Sequence, residues 1–486
     1  MLSLKVHIEN KTIHTYGALL LLSVAYAFLI AGNGLMWALG GIILPFLLLF
    51  LTRTFQNPEI GLWTAFIFNY FVLGLTRYIP APFGLSIDLL LILSILAVFF
   101  KHFKQKSIWR KAKTDLTLLA AIWFMYGLFQ LINPETVSRV AWFYAMRGIS
   151  LYMLLSVVLG QILFDEKRHL SAFLWLWFFF ALLGVAKGLQ QKFLFLDPFE
   201  QRWLNAGAAV THVLFGKLRV FSFFSDAGQY GAAMGLAGVV FGIIALHTTS
   251  LKYRIIYTTG AALFLYALMI SGTRGAIAVP FGGAILYVIL GKNIKLIATG
   301  FLLGVAVFVF FKYTTIGQNN YEIRRLRTAF DPEDASLQVR LANQRILKSY
   351  LASRPFGGGI GSAGNWGKRF TPHTFLANVA TDSWYVMIWA EQGIVGLLLH
   401  LSILFYVLIK ASYIIMYKLK NKWLKIRMQA LASGMFGILL ASYGNGVLGQ
   451  MPTGLIMYLS MAFLFMAPKL DRKLSSTTEN KIMIPD

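Results

Sequence analysis

The sequence predicts an all-α membrane protein, a polytopic transmembrane helix bundle of about 12–14 spans with one large outward-facing element. Three observations carry this. Hydrophobic residues make up 58% of the 486 and charged residues only 13%, with a mean hydropathy of +0.67, far more apolar than a soluble chain of this size tolerates. The apolar residues collect in runs close to the roughly 20 that cross a bilayer as a helix. Lysine and arginine collect in alternate connections between those runs, which is the signature of a fixed orientation.

The runs fall at 16–32, 34–51, 58–76, 85–100, 116–132, 146–164, 170–187, 228–246, 255–271, 275–291, 296–312, 385–408, 428–447 and 454–468. No cleavable leader is expected, because the first run is followed at once by another. Five connections are basic: KHFKQKSIWRKAK at 101–113, EKRH at 166–169, KYR at 252–254, GKNIK at 291–295 and KLKNKWLKIR at 418–427. All five fall on one side of the counted spans. By the positive-inside rule that side is the cytoplasm, which puts both termini inside. The net charge of +25 is thereby read as topology rather than as a nucleic-acid surface, and no nucleic acid is expected as partner. Cysteine is absent from the sequence, so no disulfide, thiolate metal site or cysteine nucleophile enters the mechanism.

This divides the chain into a transmembrane bundle at 1–312 with an outer loop at 188–227, a large outer loop at 313–384, C-terminal spans at 385–468 and a cytoplasmic tail at 469–486. The large loop is rich in arginine, with Arg324, Arg325, Arg327, Arg340, Arg345 and Arg354 beside Lys348, Lys368 and Arg369, against Glu322, Asp331, Glu333, Asp334 and Asp382. Arginine holds phosphate oxygens with a planar fork and stays charged at any relevant pH. An anionic ligand at the outer face is the natural candidate, with a solvated surface as the alternative for any one side chain.

Arg274, in SGTRGAIAVPF at 271–281, stands between two apolar runs at the outer boundary. A charge so near hydrocarbon is costly. Its alternatives are an anion ligand or an interfacial side chain that snorkels to the headgroups, and Arg147 in YAMRGISLY is read as the snorkelling kind. In KLRVFSFFSDAGQYGAAMGLAG, Arg219 precedes an aromatic stretch and Asp226 is read first as a helix cap. In the large loop, Arg340 and Arg345 open an amphipathic helix on which Leu341, Ile346, Leu347 and Leu351 recur at helical spacing. Pro355 and the glycines at 357, 358, 359 and 361 end it in a turn whose amides are free to approach a ligand. The acidic DPED at 331–334 reads as a turn.

The order of RVFSFFSDAGQYGA, SGTRGA, a long outer loop with RPFGGGIG and then DSWYVMIWAEQGIVGLLL resembles the O-antigen ligase and polysaccharide polymerase superfamily, over about residues 215–400. The resemblance implies a multi-span enzyme of the bacterial inner membrane that uses a glycan carried on undecaprenyl diphosphate. The large loop is then periplasmic. It also implies diphosphate-binding roles for Arg219, Arg274, Arg340 and Arg345. The ligase pattern has a His-Asn pair before a tyrosine and E.G..G, whereas this chain has Asp382 and Ser383 before Tyr385, Glu391, Gly393 and Gly396. The carboxylate turns the reading toward a polymerase, with Asp382 as first choice of general base and His373 as second.

Asp382 has an alternative as the cap of the following helix, and Glu391 is read as a polar contact within the bundle rather than a catalytic group. No cofactor or metal motif is present, so the expected reaction is metal-independent displacement with inversion. The acceptor is a glycan hydroxyl or, in a ligase, the lipid A core. A transporter or flippase of a lipid-linked glycan is the rival of another class, and paired broken helices in two related halves are its mark. No such repeat is visible.

Overall fold

The computed structural model describes residues 16–482, apart from 18, 19, 22, 33, 215, 293, 320–322, 325, 326, 329–332 and 334. Arg325, Glu322, Asp331 and Asp334, with most of the turn read at 331–334, lie outside the described residues.

Each of the apolar runs becomes a helix. In chain order these are α1 (Ser23–Gly32), α2 (Leu35–Gln56), α3 (Glu59–Leu75), α4 (Gly84–His102), α5 (Asp115–Phe129), α6 (Arg139–Leu163), α7 (Lys167–Leu194), α8 (Ala227–His247), α9 (Leu251–Ile270), α10 (Arg274–Gly291) and α11 (Ile294–Tyr313). Three short helices follow, α12 (Ala335–Leu351), α13 (Gly364–Phe370) and α14 (Phe375–Asn378), and then α15 (Trp384–Lys418), α16 (Lys422–Ala441) and α17 (Thr453–Ile482). Among the described residues, eleven helices are long and apolar enough to cross a membrane, and α1, α3 and part of α11 are shorter apolar helices. The chain is a multi-pass all-α membrane protein. One two-residue hairpin, Val213–Leu214 against Lys217–Leu218, is its sheet among the described residues.

The centre of the bundle is α8, buried around nearly its whole circumference, as a helix apolar on all sides must be. Its neighbours are α9, α10 and α16, while α17 packs along α6. Small residues set these distances. A Cβ on Gly235 would meet Leu268 and Val279, and a Cβ on Gly437 would stand 2.3 Å from the Val279 carbonyl oxygen, so α10 and α16 touch backbone to backbone. By contrast α2 is exposed along most of its length, the condition of a helix facing lipid.

The alternation of helices puts the five basic connections at one end of the bundle. There Asp165 pairs with Lys111 at 2.8 Å and Lys473 at 3.0 Å, and the Asp471 carboxylate accepts from the Lys420 and Asn421 amides at 3.1 and 2.8 Å. The opposite end, here the site end, gathers residues 76–83, 133–138, 195–226, 271–274, 314–383 and 442–452.

Two expectations about bundle arginines and turns change. Arg147 does not snorkel. Its helix α6 starts at Arg139, capped by Ser138, which carries Arg147 two turns inward to an ion pair with Asp88. Both partners are buried. The glycine turn also differs, because its amides are already taken: Gly358 donates to the Ala390 carbonyl at 2.9 Å and Gly359 to that of Glu391 at 2.8 Å. Gly393, with φ of 66°, breaks α15 there, and a Cβ on it would overlap the Pro355 carbonyl. Glu391, read as a bundle contact, accepts from the Ala363 amide at 3.1 Å.

Candidate functional site

At the site end, the segment 195–226 is held down by Arg77. Its guanidinium donates to the carbonyls of Ser222 at 2.9 Å, Ser225 at 3.3 Å and Phe224, and lies between the rings of Trp203 and Phe221, 4.4 and 4.5 Å from their centroids. Burial lowers its pKa to about 10 against the pull of Glu200, Tyr78, Asp226 and Asp197, so it remains a cation at neutral pH. Gln191 completes the clamp, accepting from the Phe221 and Ser222 amides at 3.2 and 2.7 Å. Ser222 has φ of 52°, and these bonds offset the strain of that conformation.

Beside this clamp is a half-buried acidic knot. Asp197 caps the helix Pro198–Trp203 and pairs with Lys187 at 3.0 Å. Burial raises the Asp197 pKa, but the Tyr78 hydroxyl, the Glu200 amide and Lys187 outweigh it and bring it down from 3.8 to about 2.

What the clamp delivers is Arg219. That side chain donates to the Thr211 carbonyl at 2.9 Å and to Thr273 Oγ1 at 2.8 Å, and Thr273 in turn donates to the Ala227 carbonyl at 2.9 Å. Asp226 is the cap it was read to be, accepting from the Gln229 amide at 2.9 Å. Arg219 and Arg274, far apart in sequence, therefore meet at the turn that opens α10. Arg274 is half-buried and donates to Thr328 Oγ1 at 2.7 Å.

The connection between α16 and α17 closes over the same turn. A Cβ on Gly275 would stand 2.2 Å from Asn445 Nδ2, and one on Gly444 would stand 3.7 Å from the Gly275 Cα and 3.8 Å from Arg340 Nη1. Arg340, from α12, thus reaches the turn that carries Arg274. It also faces Asp382, its Nε 3.5 Å from Asp382 Oδ2. The pair lies in an open cleft of about 40 Å³ that α12 forms with residues 380–386 and Tyr443. That volume suits ordered water rather than a sugar, so the cleft marks where the polar groups meet and not the footprint of a whole substrate.

Asp382 is not the cap of α15. Ser383 takes that place, its Oγ accepting from the Val386 amide at 3.4 Å and donating to the Ser442 carbonyl at 3.2 Å. Asp382 is left pointing into the cleft, with half of its side chain exposed. Three arginines and one carboxylate of the predicted set come together this way. Arg345 does not join them: it is exposed and away from the cleft wall, which Leu337, Leu341 and Gln344 supply together with Arg340. His373 is exposed in the turn before α14 and does not line the cleft. Ile346, expected on the packed face of α12, is 49% exposed, while Leu347 and Leu351 are buried.

Residues 259–401 match a family model described as O-Antigen ligase. Over that segment, the chain is similar to the O-antigen ligase family. No curated protein matches it. The matched segment contains Arg274, Arg340, Arg345, His373 and Asp382, and leaves Arg219 and its clamp outside. The similarity agrees with the multi-pass membrane helices of the chain.

Arg77, Asp88, Gln191 and Asn445 were missed from sequence. Arg77 had a signal, as an arginine in a short connection on the side the positive-inside rule leaves poor in cations. Asp88 had a plainer one, as a carboxylate inside the apolar run of α4.

Proposed function

We propose that this membrane protein is a glycosyltransferase, a polysaccharide polymerase of the bacterial inner membrane. In this reading it transfers a glycan from undecaprenyl diphosphate to a hydroxyl of an acceptor glycan on the periplasmic side, which puts the basic end and both termini in the cytoplasm. The observation that carries the reading is the meeting of Arg340 with Asp382 beside the turn that holds Arg274 and Arg219.

The acceptor hydroxyl oxygen attacks the anomeric carbon while the bond from that carbon to the diphosphate oxygen breaks and its electron pair leaves with the diphosphate. Asp382 takes the hydroxyl proton, and the single displacement inverts the anomeric centre. Negative charge grows on the leaving diphosphate, and preorganised arginines stabilise it in the place a divalent cation takes in other transferases. Arg340 is loosely paired with Asp382 before the donor arrives. A diphosphate draws Arg340 away and frees the carboxylate to act as base.

The test is glycan length in a deletion strain, read as gel profiles of lipopolysaccharide and exopolysaccharide, with wild type, Arg274→Ala, Arg340→Ala and Asp382→Asn restored at matched expression. The reading expects single-repeat products that regain length with wild type alone. Long chains left on the lipid carrier in the deletion strain mark a ligase, and full rescue by all three variants overturns the assignment of these residues.

A further inference from the structure

The connection at 442–445 lies between the backbone that carries Asp382 and the turn that carries Arg274. It is tied to the end of α16, where Tyr443 donates to the Leu440 carbonyl at 3.2 Å and Gly444 to that of Ala441 at 3.0 Å. The start of α15 hangs from it. The Ser442 carbonyl accepts from Ser383 Oγ at 3.2 Å, and the Trp384 amide is shared between the Ser442 and Asn445 carbonyls at 3.0 and 3.4 Å. These bonds fix the residues that directly follow Asp382. On another side, a Cβ on Gly444 would stand 3.8 Å from Arg340 Nη1.

The Asn445 side chain separates this connection from the arginine turn. A Cβ on Gly275 would lie 2.2, 3.1 and 3.4 Å from its Nδ2, Cγ and Oδ1, and a Cβ on Gly228 would lie 3.7 Å from its Oδ1 and 3.9 Å from Thr273 Cγ2. Asn445 is thus wedged against the first turns of both α8 and α10. Its hydrogen bond from Nδ2 to the Ala441 carbonyl is long at 3.4 Å, so the contact rests on shape more than on bonding. Gly275 lies in the single 3-10 turn Arg274–Ile277, a conformation open to any residue. A methyl there meets Asn445 and not backbone strain.

Spacing between groups decides a displacement, and a misplacement of about 1 Å can cost about 10²-fold in rate. Arg219 and Arg274 share the turn at Thr273 through the Arg219 bond to Thr273 Oγ1, so their mutual arrangement does not depend on Asn445. What Asn445 spaces is that turn against the segment leading from Asp382.

We propose that Asn445 is a positioning residue that sets the separation between the arginines of the Arg274 turn and the carboxylate of Asp382. The proposal rests on the reaction proposed above and adds the residue that holds its two halves apart at a working distance.

The test is steady-state transfer by the full chain in nanodiscs, with the undecaprenyl diphosphate-linked repeat unit isolated from the deletion strain, beside equilibrium binding of undecaprenyl diphosphate. Asn445→Ala is expected to lower kcat per folded molecule about tenfold or more. KM and the affinity for undecaprenyl diphosphate stay within about twofold of wild type, a split that a general loss of folding does not produce. Gly275→Ala, whose methyl pushes the Asn445 amide aside, gives the same split. The double variant loses no more than the worse single one, because both changes act through one contact. Should Gly275→Ala fail to fold, the Asn445→Ala split decides by itself. Wild-type kcat in Asn445→Ala, equal losses of kcat and carrier affinity, or losses that multiply in the double variant overturn the proposal. A wild type that neither binds the carrier nor transfers glycan removes the reaction and this proposal together, whereas unaltered variants of an active wild type remove this proposal alone.

Discussion

Two arginine-aspartate pairs occupy the same end of this bundle and differ in almost every physical respect. Arg147 and Asp88 have side chains only 8% and 9% exposed, whereas Arg340 and Asp382, 3.5 Å apart, are 36% and 54% exposed. The first pair is sealed. Each of its ions has lost its water and depends on the other, so it can exchange partners with nothing. The second is loose and wet, worth little to the fold, and free to give up its arginine to a competing anion. Sequence context places Arg147 in a span and Arg340 in a long polar loop, yet it names neither counter-ion. Burial and the distance to a counter-ion separate the two pairs.

The largest effect that distinguishes the pairs is on stability. Asp88→Leu leaves Arg147 uncompensated inside the bundle and is expected to destabilise by about 3–5 kcal/mol, read by thermal unfolding in micelles. Asp88→Leu combined with Arg147→Met is expected to recover most of that loss. Equal stability of the single and double variants would show that the pair is not a closed unit.

Next in size is catalysis at the open pair. Asp382→Asn lowers glycan transfer by about 10²-fold or more if the carboxylate is the base, with the unfolding free energy changed by less than about 1 kcal/mol. A large stability loss with normal transfer per folded molecule would make the two pairs alike.

Arg77 extends the comparison, because it is a buried arginine that uses carbonyls in place of a carboxylate. Arg77→Met strands the Ser222, Phe224 and Ser225 carbonyls and is expected to cost about 1–3 kcal/mol. The loss should be local, and limited proteolysis reads it as faster cleavage within 195–226.

The smallest effect comes from Asp197, whose surroundings lie between the two extremes. Its folded pKa, about 2, is below the ordinary 3.8, so the stability it contributes is fully present above about pH 4 and is lost as pH falls through 2. Unfolding midpoints of wild type and Asp197→Asn should run parallel from pH 7 to 4 and converge toward pH 2.

The fold was legible because membrane helices announce themselves locally, as runs of a fixed length. Their ends were less so. Helix α16 was expected at 428–447 but occupies Lys422–Ala441, because Asn421 caps it and the turn residues of SYGNG at 442–446 end it. The apolar run had hidden both signals. At the candidate site, Arg274 stands out in the sequence as a charge between apolar runs and Asp226 as a cap, whereas Arg219, Arg340 and Asp382 enter through the family resemblance.

Partners were not legible. That Arg147 closes on Asp88, that Ser383 rather than Asp382 caps α15, and that Asn445 packs against Gly275 all depend on contacts between segments far apart in the chain. No local pattern encodes these. The glycine turn misled for the same reason: its free-looking amides are taken by the break in α15 at Gly393, and neither half of that contact predicts the other.

The most direct test of the central claim is a transfer assay with the purified full chain in nanodiscs, supplied with an undecaprenyl diphosphate-linked repeat unit and no other enzyme. The account predicts that wild type releases undecaprenyl diphosphate and lengthens the glycan, that Asp382→Asn binds the donor but scarcely turns it over, and that Arg274→Ala loses both. Release and elongation at wild-type rates by Asp382→Asn and Arg274→Ala would contradict it.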